Sequence, residues 1–235
     1  MHSKSTRRVR LILILGAIAT FFALTSAALA GPPLICHSFD ISNARSLPWI
    51  SHDWNLSGTE NYDTHHLVDD TLVMLNTSQV PLVHMETLRR ATLYARKDPV
   101  AAKQLLLQLV ARAKSSEASS SPDAFALFDA AYLIETYKQW LGEKNENPAN
   151  GLDGLSWVKR ALQLRPNDPQ MAFAAALITL QGPRTEHQQY AQDASAGAKH
   201  DELLARNLAS HFLGEQSQTM SEMILKSDES KLARQ

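Results

Sequence analysis

Cysteine is nearly absent from this chain: one, Cys36, in 235 residues, so no internal disulfide can form and stability has to come from packing. No apolar run after residue 30 is long enough to cross a membrane, and no stretch alternates apolar and polar residues as a half-buried strand would. Chemical signatures are missing as well. There is no Gly-x-Ser-x-Gly elbow, no His-Glu-x-x-His, no phosphate-binding glycine loop and no dinucleotide fingerprint. Nor is there an excess of positive charge to carry a nucleic-acid partner.

What is present begins with the first 30 residues. Lys4, Arg7, Arg8 and Arg10 precede an apolar run from Leu11 to Leu24, and Thr25-Ser-Ala-Ala-Leu-Ala30 follows. That order of charge, apolar core and small residues predicts a secretory signal peptide cut at Ala28-Leu29-Ala30, before Gly31. The alternative is an uncleaved anchor, since Leu11 to Ala30 is free of charge; that anchor is the one membrane contact expected. Cleavage would remove four of the 23 basic residues and none of the 24 acidic ones, leaving a net charge of −5. The expected location is secreted or periplasmic, with a bacterial envelope favoured by the short basic leader and the lack of a cysteine framework.

Residues 31–62 hold Gly31-Pro-Pro33, Pro48 and Gly58 and show no periodicity, which predicts an irregular arm. Its apolar residues Leu34, Ile35, Phe39, Ile41, Leu47, Trp49, Ile50 and Trp54 are too many for a free tail, so the arm is expected to lie along a helical surface. From residue 63 to 214 the spacing turns helical, giving about eight helices and an all-α fold of antiparallel pairs. Asp63 or Thr64, Pro81, Asp98-Pro99, Ser121-Pro122-Asp123 and Thr185-Glu-His-Gln188 mark the helix starts, and residues 215–235 form a polar tail. The helix after Pro81 carries Met85, Leu88, Ala91, Thr92 and Ala95 on one face. The helix over 123–141 is apolar on two faces, Phe125, Phe128 and Tyr132 on one, Leu127, Ala130, Ala131 and Ile134 on the other, as in a helix sandwiched between neighbours.

From Trp157 to Pro169 the chain resembles the second helix and closing turn of a tetratricopeptide repeat, with Ala161, Leu162, Leu164 and Pro166 in the packing and stop positions. Phe125, Phe128 and Tyr132 are similar to the large residues of that family's first helix, but Asp129 stands where a small residue is usual. The loop from Gly142 to Gly151 also stretches the unit beyond the family's roughly 34 residues. The resemblance covers 122–214, with 81–114 by extension, and implies a stacked array whose groove binds a protein or peptide, without a cofactor and without catalysis.

Two sets of residues are candidates for contact or chemistry. Arg89, Arg90, Arg96 and Lys97 form a basic cluster on one helix, either a solvated face or a contact for an acidic partner. Cys36 and His37, with His52, Asp53, His65 and His66, have the atoms for a metal- or thiol-dependent site, the alternative functional class. Haem attachment is disfavoured because Pro33 occupies the place of the second cysteine, and the expectation is that no metal is held. A third alternative is an envelope component that self-associates through the arm or a Cys36 disulfide.

Overall fold

A computed structural model describes residues 33–50, 56–141, 147–180 and 184–211. The leader with Ala28, Ala30 and Gly31, residues His52, Asp53 and Trp54, the Gly182-Pro183 break and the tail 215–235 lie outside the described residues.

Among the described residues every regular element is helical. A 3₁₀ turn over Thr64–His66 leads into α1 (Leu67–Thr77), α2 (Pro81–Ala95), α3 (Pro99–Glu117), α4 (Ala124–Leu141), α5 (Gly154–Leu164), α6 (Pro169–Ile178), α7 (Arg184–Ala198) and α8 (Glu202–His211). Aspartates open most of them. Asp98 accepts the backbone N–H groups of Val100 and Ala101, Asp123 that of Phe125, Asp153 that of Ser156, Asp168 those of Gln170 and Met171, and Asp201 that of Leu204. Each carboxylate satisfies N–H groups that have no intrahelical acceptor and sits at the positive end of the helix dipole. At α4 the cap is Asp123 and not Ser121, so Pro122 stands before the helix instead of inside its first turn.

Helices α2, α4, α6 and α8 pack on one another in succession, and each of α3, α5 and α7 lies against two of them. The burial pattern follows from that arrangement. In α3 only the stripe Ala101, Ala102, Leu105, Leu106, Leu109 and Ala113 is buried, as for a helix with one face in solvent. In α2, by contrast, every residue from Pro81 to Ala95 except Arg90 is buried. Met85, Leu88, Ala91, Thr92 and Ala95, expected on one face, are all buried, and the arm covers the opposite side as well. α4 is buried without a break from Ala124 to Ile134 for the same reason, with neighbours on both sides.

The arm supplies Leu34, Ile35, Phe39, Ile41 and Leu47 to the core, whereas Ile50 is 71% exposed. The α6–α7 seam includes small residues. Ala172, Ala174 and Ala176 of α6 and Ala191 and Ala194 of α7 are buried in one core cluster, Ala175 packs with Ala131 and Val158, and Gly197 lies so close to the Pro169 ring that a Cβ there would clash.

Candidate functional site

The arm's polar contacts run mainly through its backbone. Leu34 N–H donates to Gln139 Oε1 at 3.0 Å, Arg89 Nε to the Ile35 carbonyl at 2.7 Å, and Phe39 N–H to Glu86 Oε2 at 2.9 Å. Asn207 brackets one residue, accepting from Asp40 N–H at 2.9 Å and donating to the Asp40 carbonyl at 2.8 Å. Arg90 Nη1 donates to the Leu47 carbonyl and Tyr94 Oη to the Pro48 carbonyl, both at 2.6 Å. Residues of α2, α4 and α8 thus bind seven main-chain groups between Leu34 and Pro48, while α6 adds the Phe173 ring, edge-on to Phe39 at 6.1 Å. Apart from the turn in which Ala44 N–H donates to the Ile41 carbonyl, these side chains stand in for the sheet or water that the arm's backbone would otherwise need.

Charge is buried beneath this seam. Arg89 and Glu86 are both wholly buried and pair at 3.3 Å, and Arg90 reaches the same carboxylate at 2.7 Å. The Phe39 ring lies on His211 at 4.4 Å and edge-on to Tyr132 at 6.5 Å. Burial, with the charge of Arg89 and the neighbouring His37 adding to it, pushes His211 down to about 3, so its imidazole is neutral at ordinary pH. Burial likewise lowers Arg89 and raises the Tyr132 phenol far above its usual value. Among the described residues Arg89 Nη2 and Tyr132 Oη have no hydrogen-bond partner, so this polar cluster is not fully satisfied.

The four basic residues expected on one contact face separate. Arg89 is at 0% exposure and Arg90 is mostly buried, both spent on the arm and Glu86, whereas Arg96 and Lys97 are exposed and Arg96 lies over the Trp140 ring at 4.8 Å. A shared external contact face is thereby corrected, because the arm occupies the side of α2 that carries Arg89 and Arg90. The residues read as repeat packing also divide. Phe125, Phe128, Tyr132 and Ala161 are buried, Leu162 and Leu164 half-buried, and Pro166 is exposed at the wall of an open cleft of about 500 Å³ that Pro81, Arg165, Asp168 and Asp201 also line.

Cys36 and His37 are half-buried at the arm's edge. Burial raises the Cys36 thiol, against the opposing pull of Arg89, and this favours the protonated form over the thiolate that a nucleophile or metal ligand needs. Burial and then Arg89 lower His37. His65 pairs with Asp63 at 2.8 Å. Among the described residues no group of three or more His, Cys, Asp or Glu side chains is placed to hold a metal ion.

Glu86, Asn207, His211 and His84 carry no signal in the sequence. Their partners are 47, 167, 172 and 45 residues away in the chain, for Phe39, Asp40, Phe39 and Asp129 respectively, beyond the reach of any local pattern. No protein-family model, no curated protein and no solved structure matches the chain.

Proposed function

We infer that the chain is an exported, non-catalytic, tetratricopeptide-like interaction protein of the cell envelope. Its helices α2, α4, α6 and α8 form the wall that holds an extended peptide segment, and its own arm is the resident segment. The observation supporting this reading is the set of side chains that grip seven arm main-chain groups. Main-chain clamping secures an extended segment with little regard to its sequence, and pockets such as the one around Phe39 add selectivity. A partner of the same kind has an extended backbone and apolar residues spaced like Ile35, Phe39 and Leu47.

The test uses the full chain and a labelled peptide spanning residues 33–50. Wild-type protein, with its own arm in place, is expected to bind the peptide weakly, and a Phe39→Asp variant to bind it saturably as its arm is loosened. Absence of saturable binding by both proteins rejects the reading.

A further inference from the structure

Asp129, the residue that departs from the repeat pattern, does not stand alone. Its Oδ1 lies 2.6 Å from His84 Nδ1, and both side chains are 1% exposed. The other ring nitrogen, Nε2, lies 3.1 Å from the Ser78 carbonyl in the turn between α1 and α2. A carboxylate and a backbone carbonyl only accept hydrogen bonds, so a ring placed between them is satisfied only if both contacts contain a proton. That condition is met by an imidazolium beside a carboxylate, or by a neutral imidazole beside a protonated carboxyl. Either way the pair holds two protons and has no net charge. Removing one sets acceptor against acceptor and leaves a net negative charge buried, where Asp129 Oδ2 already lacks a partner.

The surroundings define what acts on the ring. From α4 come Asp129 and the Phe125 ring, 4.5 Å from that of His84. From α3 comes the charge of Arg112, which disfavours a second positive charge. Arg165, after α5, stands across Phe125 at 4.9 Å. α6 presents the neutral Gln170, which accepts from Leu82 N–H. On α2 itself, Glu86 pairs with both Arg89 and Arg90 beneath the arm.

We propose that His84 and Asp129 form a proton-operated lock, which fastens the α1–α2 turn and the first turns of α2 to α4 while the pair holds two protons and loosens them when one is lost. Because Leu82 is bonded to Gln170 and Pro81 lines the open cleft, the loosened segment borders that cleft. Burial alone would lower the histidine, but the charge and hydrogen bond of Asp129 outweigh it, so the folded value lies above the ordinary 6.5. The sign follows. The lock's contribution is whole below pH 6.5 and is lost as pH rises through the raised folded value, by about tenfold in the folding equilibrium constant per pH unit between the two. This inference does not depend on what the arm-binding wall holds.

The test is an NMR titration of the His84 ring in the full chain, with amide hydrogen exchange followed alongside and corrected for the intrinsic pH dependence. The expected results are a histidine midpoint above 6.5 and a loss of protection at Val83 and His84 as pH rises from 6 to 9, with α6 amides unaffected. Asp129→Asn should lower the midpoint and remove the pH step in protection. A midpoint at or below 6.5, a pH-independent protection at Val83 and His84, or an undiminished step in Asp129→Asn overturns the proposal. If Asp129→Asn does not fold, the wild-type titration alone decides.

Discussion

Two of the buried histidines, His84 and His211, sit in different regions of this molecule and treat the proton in opposite ways. At the start of α2, His84 faces a carboxylate and a carbonyl and is raised; beneath the arm, His211 faces Arg89 and aromatic rings and is pushed down to about 3. Both are nearly fully buried, so depth does not distinguish them. The nearest charge does. A carboxylate at 2.6 Å outweighs desolvation, while a guanidinium adds to it. The first region is therefore built to weaken in alkali and the second in acid.

The largest expected effect comes from removing the charge balance under the arm. Glu86→Ala leaves Arg89 buried without its carboxylate and takes the acceptor from Phe39 N–H, and is expected to cost about 3–5 kcal/mol in urea unfolding. A loss under about 1 kcal/mol would mean that the arm is not held through this carboxylate.

Next comes the acid side of the contrast. His211 is neutral in the folded chain below pH 6.5 but protonated in the unfolded one, so its presence costs stability as pH falls from 6.5 toward 3. Wild type should lose about tenfold in folding equilibrium constant per pH unit over that window relative to His211→Phe, whose ring can still stack on Phe39. Parallel pH profiles for the two proteins would erase the distinction between the histidines.

A seam without charge provides the control. Gly197→Ala forces a methyl into the Pro169 ring and is expected to cost about 1–3 kcal/mol, by the same amount at pH 5 and pH 8. The smallest effect belongs to the exposed ion pair at the arm's edge. Arg206→Ala removes a 2.7 Å contact with Asp40 but should leave the unfolding midpoint unchanged, because Asn207 still brackets that residue.

The helices were legible in the sequence because the forces that start and stop them are local. Asp98-Pro99 and Asp168-Pro169 each place a carboxylate cap before a proline, and the structure begins α3 and α6 at those prolines. The two apolar faces of α4 were legible for the same reason, since the periodicity is contained within one helix. The arm's register was not. Nothing near Arg89 in the chain marks it as the partner of the Ile35 carbonyl, and by composition it reads as a surface base. Asp129 was visible as an anomaly, but its explanation, His84, lies 45 residues earlier on another helix. Buried polar pairs between distant segments leave no periodic trace, so the seam was the least predictable part of the fold.

The bracket around Asp40 also sets the order in which the molecule can be finished. Asp40 and Asn207 are 167 residues apart, so the arm waits for a helix made much later in synthesis before its backbone is satisfied. Until α8 arrives, Leu34, Ile35 and Phe39 are apolar residues of a segment that lacks its final anchor. Contacts of such long range close slowly, and the interval exposes the chain to aggregation and to holding factors.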